Sequence, residues 1–127
     1  MTFTPANTVA WMEIPVRDID RGIAFYSRVF DYALTKDESG PNSMAMFPVT
    51  DIGTGVSGHI YPGKPAAPGT GPTIHLHVPD TLEATVERFQ KAGGTITGEI
   101  ISMPFGRFQY GTDADGNSIG LFELAKG

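Results

Sequence analysis

One pattern occurs twice in this chain. Residues 11–18 read WMEIPVRD and residues 73–80 read TIHLHVPD, 62 residues apart, so that Ile14 falls on Leu76, Val16 on Val78 and Asp18 on Asp80. A repeat of this length is a strong constraint. It implies two copies of one supersecondary unit, and neither copy has enough core to stand alone. Between the copies, residues 62–72 (PGKPAAPGTGP) read as a linker that punctuates strongly and buries little. The 127 residues therefore divide as one domain, 1–127, with a first module at about 8–61, the linker 62–72, and a second module at about 73–124.

Each copy carries the same order of elements. After Asp18, residues Ile19, Ile23, Tyr26, Val29 and Phe30 recur at helical spacing, and after Asp80, residues Leu82, Val86, Phe89 and Ala92 do so with one residue inserted. Asp18 and Asp80 are expected N-caps, and Gly93–Gly94 is a helix stop. Three short β-like runs follow each helix: YALTKD, MAMFPV and VSGHIYP, then TITGEIIS, RFQYGTD and SIGLFEL, with the turn DADGN (113–117) between the last two. The fold class expected is α+β, two tandem βαβββ modules forming a curved mixed sheet around a cleft.

Alternation assigns the faces of the two leading strands. Met12, Ile14 and Val16 share one face, as do Ile74, Leu76 and Val78, and these apolar faces suit packing against the helices. Trp11, Glu13 and Pro15 then look the other way, with Thr73, His75 and His77 as their counterparts. In a curled sheet that is the concave side, where a ligand would lie. A carboxylate in mid-strand on such a face needs a partner, and His75, its repeat counterpart, is the one expected. Glu13 and His75 are accordingly the candidate acid–base pair, with a simple structural contact as the alternative. Trp11 is the candidate stacking surface, His59, Tyr61, Phe105 and Phe122 are candidate cleft walls, and Arg107, in MPFGRF, is a candidate for an anionic ligand or else a solvated surface arginine. His77, near the strand end, reads as half-exposed and structural.

Composition removes several classes of function. Net charge is −5 and the nine Lys and Arg residues are scattered, so no basic patch for nucleic acid is expected. No apolar run approaches the roughly 20 residues of a membrane span, and MTFTPANTVA lacks the basic-then-apolar order of a signal peptide. There is no cysteine, which excludes disulfides, thiolate ligands and cysteine nucleophiles and fits a cytoplasmic protein. The stretches GTGVSG and GTGP carry no P-loop lysine.

The duplicated unit, the Asp18–Phe25–Tyr26 pattern of the first helix, and the late turn with Asp113, Asp115, Gly116 and Asn117 resemble the vicinal oxygen chelate superfamily. That group contains glyoxalase I, extradiol dioxygenases, fosfomycin-resistance enzymes and bleomycin-resistance proteins. EIPVRD and DGNSIGLFE look most like its glyoxalase-like, lactoylglutathione-lyase-related members. The resemblance implies a homodimer. In catalytic branches it implies a divalent metal held by inner-strand residues and acting as a Lewis acid. The ligand positions that the resemblance implies fall here on Trp11, Thr73, Gly120 and either Gly58 or His59, which supply at most one donor. No metal ligand and no cofactor is therefore assigned. A shifted site drawing on Glu13, His59 and His75 is the exception to weigh. Two functions remain. One is binding of a small organic molecule in the cleft without the usual metal, as in the bleomycin-resistance branch. The other is a glyoxalase-like lyase or isomerase using Glu13 and His75, with no metal or with one held in a non-standard way.

Overall fold

The computed structural model describes residues 2–126. Two sheets share one topology. In the first module, β1 (Met12–Val16), α1 (Ile19–Phe30), β2 (Thr35–Asp37), β3 (Met44–Met46) and β4 (Gly58–Pro62) give the strand order β1-β4-β3-β2. In the second, β5 (Ile74–His77), α2 (Leu82–Lys91), β6 (Thr95–Ile96), β7 (Ile101–Met103), β8 (Gly106–Thr112) and β9 (Ser118–Leu124) give β5-β9-β8-β6, with β7 also paired to β8. The leading strand of each module is parallel to its last strand, and the remaining pairs are antiparallel. The sequence repeat is thus a repeat of topology.

TITGEIIS, expected as one strand, is broken in two. Thr95 and Ile96 pair with Thr112 and Gly111, and Ile101–Met103 pair with Gly106–Phe108. Over the break the chain leaves the ladder, and the Gln109 side-chain amide donates to the Gly98 carbonyl, satisfying a backbone acceptor that the strand no longer serves. The helix start at Asp80 also needs correction. Asp18 caps α1 as expected, accepting from the Arg21 N–H. The cap of α2, however, is Thr81, whose Oγ1 accepts from the Ala84 N–H. The inserted residue moves the cap along by one and frees Asp80 to pair with Arg88 at 2.8 Å and to accept from the Thr85 hydroxyl. Gly93, at φ 107°, ends α2 in a conformation that favours glycine.

The apolar faces of β1 and β5 pack as alternation requires: Ile14, Val16 and Leu76 are buried with Phe25, Val29 and Phe89 of the helices. One buried polar residue ties the modules together beside the packing of Phe25 on Phe89. Asp113 accepts from the Tyr26 hydroxyl at 2.5 Å, from the N–H groups of Asp115 and Asn117, and from the Asn117 side-chain amide. The same amide donates to the Pro15 carbonyl at 2.8 Å. The helix tyrosine and the DADGN turn thus form one device that fixes the end of β1 against the start of β9. Residues 62–72 bury more than a linker should: Pro65 is buried, and Pro68 lies against Gly116, whose φ is 94°. Among the described residues, no helix is long and apolar enough to cross a membrane.

Candidate functional site

The faces opposite the helices carry two groups of side chains, one on each sheet. On the first sheet, the parallel register sets Glu13 beside His59 and Pro15 beside Tyr61. His59 is buried although two-thirds of the Glu13 side chain is exposed. The Trp11 indole N–H donates to His59 Nδ1 at 2.9 Å, and His59 Nε2 faces Glu13 Oε1 at 3.2 Å. Indole is a donor only. Nδ1 must therefore present its lone pair, and the ring proton sits on Nε2, turned toward the carboxylate. Trp11 and Tyr61 flank the imidazole, each with ring centroids 5.9 Å from it.

On the second sheet, His75, His77, Met103, Phe105, Phe108 and Phe122 line a cavity of about 380 Å³. His75 sits in a nest of rings, edge-on to Phe108 at 5.0 Å, Tyr110 at 5.7 Å and Phe122 at 6.3 Å. Burial among them disfavours the imidazolium and holds the His75 pKa below its ordinary 6.5. Gly120 makes this placement possible. It is directly opposite His75 in the parallel pair, and a Cβ there would overlap the His75 ring. The ring occupies the space where a longer residue 120 would project. A second cavity, about 570 Å³, lies between the modules, with Met12, Phe47 and Ser57 from one and Ile74, His75 and Leu76 from the other.

Several sequence expectations change. The partner of Glu13 is His59, not His75: β1 pairs with β4, while His75 is held by rings of β8 and β9. Arg107 does not face the cleft. Its guanidinium bonds both oxygens of Glu83 and of Glu123, at 2.6–3.2 Å, on the α2 side of β8, and these carboxylates raise its pKa further. His77, expected to be half-exposed and structural, is exposed; it lines the cavity and stands edge-on to Phe122 at 5.7 Å. Of the ligand positions drawn from the resemblance, Trp11 donates to His59, the Thr73 hydroxyl bonds Ser118 at 2.5 Å, and Gly120 has no side chain. At the position left open between Gly58 and His59, Gly58 has no side chain and a Cβ there would meet Met12, while His59 accepts from Trp11. Among the described residues, no three His, Asp or Glu side chains converge as metal ligands. The role of Gly120 was missed in the sequence, although a glycine inside the SIGLFEL strand pattern is itself a signal of close approach.

Paired βαβββ halves with helices on one face and a ligand-sized cleft on the other define the class of protein. Residues 8–121 match the Glyoxalase/Bleomycin resistance protein/Dioxygenase superfamily, and the chain belongs to it. A glyoxylase-like domain-containing protein of Didymella fabae is 28% identical over 119 residues, covering 87% of this chain and 88% of that one. Among solved structures, a glyoxalase/bleomycin resistance protein from Albidiferax ferrireducens T118 superposes with a TM-score of 0.70 at 17% identity, covering 92% of this chain and 98% of its own. The fosfomycin resistance protein FosX from Listeria monocytogenes superposes with a TM-score of 0.68 at 17% identity, covering 98% and 95%. At these identities the structural likeness speaks for the fold alone.

Proposed function

We propose that this protein binds a small, largely apolar organic molecule in its cleft without the divalent metal of the family's catalytic branches. The observation that carries the reading is the His75–Gly120 contact together with the cavity it borders. The last-strand ligand position is a glycine, the His75 ring fills its space, and six mostly aromatic side chains form the wall. The donor set does not fit a chelated metal: Trp11 and Gly120 offer no ligand atom, and the Nδ1 lone pair of His59 is taken by the Trp11 N–H. The test is a titration of metal-free protein with neutral aromatic compounds, followed by the His75 ring resonances. Saturable shifts that weaken about tenfold in Phe122→Ala support the reading, a loss in keeping with one aromatic contact of ~1.4 kcal/mol. No saturable shift with any compound would refute it. Pairing of two copies, which the resemblance implies, belongs to the same proposal and is read from the molar mass in solution.

One observation favours a second reading, a lyase or isomerase in which Glu13 takes a proton from its ligand. The Trp11–His59 bond fixes the imidazole, and the imidazole holds one carboxylate oxygen, which leaves the other oxygen free to accept. Turnover of a carbonyl substrate that is lost in Glu13→Gln with binding intact would establish it.

A further inference from the structure

The first-sheet group has an unusual balance of donors and acceptors. Its two N–H groups are both directed inward: the Trp11 indole N–H goes to His59 Nδ1, and the His59 Nε2–H is turned to Glu13 Oε1. The Nδ1 lone pair is consumed as well. What remains open to a ligand, besides the Tyr61 hydroxyl, is acceptor capacity on an exposed carboxylate, since an ionised Glu accepts and never donates. No Lys or Arg of the described residues is ion-paired with Glu13; Lys64 lines the depression beside it without reaching it. On either side stand the rings of Trp11, 38% exposed, and Tyr61, half-buried. Their π-faces attract cations. An anion would meet the Glu13 charge, against which stand only the Tyr61 hydroxyl and, in the neighbouring depression, Lys64. A neutral acceptor group would have those same donors and no second contact on the carboxylate.

From this we infer that the Trp11–Glu13–Tyr61 face is a subsite for a cationic nitrogen, the ammonium or amidinium group of an organic ligand. His59 is a positioning residue there, and Trp11 both sets its tautomer and offers a ring to the cation. The inference rests on the proposal that the cleft binds organic molecules, and it names the polar end of what binds. It lies on the other sheet from the aromatic cavity, so its failure can be told apart from the failure of that proposal.

Trp11 is the only tryptophan in the chain, so intrinsic fluorescence reports this subsite directly. The probes are benzylammonium, benzyl alcohol and benzoate, matched in shape and differing in charge. Benzylammonium is expected to change Trp11 emission saturably and to bind about tenfold or more tighter than benzyl alcohol, as one charge-assisted contact provides. Glu13→Gln, which keeps the shape and removes the charge, is expected to abolish that preference. Equal or tighter binding of benzoate, an ammonium preference that survives in Glu13→Gln, or no change of Trp11 emission with any probe would overturn the inference. Shifts of the His75 ring resonances are read in the same titrations. If benzyl alcohol moves His75 while no ammonium preference exists, the cationic subsite fails and the binding reading stands. If no probe moves either residue, both fail.

Discussion

Replacing Gly120 with alanine puts a methyl group where the His75 ring now lies, so the ring must leave its nest of Phe108, Tyr110 and Phe122. Three edge-on aromatic contacts are then lost or loosened. Such pairs contribute about 0.5–1.5 kcal/mol each when buried, but His75 is exposed, so about 1–1.5 kcal/mol in total is the fair figure. Removing a glycine from a strand returns about 0.5 kcal/mol. The expected net cost is about 0.5–1 kcal/mol, read as a lower urea midpoint with an unchanged slope. The sharper readout is the histidine itself. In the native protein burial lowers the His75 pKa from 6.5, so the unfolded chain takes up the proton first. This residue's contribution to stability is complete above 6.5 and declines as pH falls from there toward the depressed folded value. In Gly120→Ala the ring moves toward water, its pKa rises toward 6.5, and the decline becomes shallower. The ring also leaves its place in the wall of the 380 Å³ cavity, so affinity for neutral aromatic ligands falls. A His75 titration curve that is the same in the variant and the native protein would refute the argument that Gly120 exists to make room for this ring.

Asp113→Ala removes the acceptor for the Tyr26 hydroxyl, two backbone N–H groups and the Asn117 amide at once, so a loss of about 3 kcal/mol or more is expected in thermal or urea unfolding, while Tyr26→Phe should cost only about 1–2 kcal/mol. Arg107→Ala should lower stability without altering ligand affinity, because Arg107 lies on the α2 side of β8; an affinity change of tenfold would place it in the cleft after all. Its partners Glu83 and Glu123 are held below their ordinary 4.5 by that arginine, so their contribution is present above 4.5 and lost as pH falls through the lowered values. Arg107→Ala should flatten that part of the acid unfolding profile.

Much of the architecture is visible in the sequence because the signals are local and doubled. Helical spacing after Asp18 and Asp80, the Gly93–Gly94 stop and the DADGN turn each act within a few residues, and the second copy confirms the first. The alternation that set Ile14 and Val16 against Glu13 and Pro15 also holds. What local pattern could not supply was strand pairing. Glu13 meets His59 because β1 runs parallel to β4 across an intervening helix and two strands, and no spacing along the chain encodes that register. Repeat symmetry suggested His75 as the counterpart of Glu13, and so it is, but equivalent positions in two modules need not touch. Arg107 shows the same limit. A basic residue in a Gly- and Pro-marked loop left a ligand contact and a solvated arginine both open, and neither reading contained Glu83 and Glu123, one on a helix and one on the adjacent strand, which claim it. Asp80 misled for a smaller reason: one inserted residue moved the cap to Thr81.

The central claim, ligand binding without a metal at the family's ligand positions, is tested most directly by metal content. The purified protein would be measured as isolated and after incubation with zinc, nickel, manganese and iron(II), beside a Glu13→Ala/His59→Ala double variant. The account predicts far less than one metal per chain in every sample and no difference between native and variant. Near-stoichiometric metal in the native protein that disappears in the variant would contradict it, and would make Glu13 and His59 ligands.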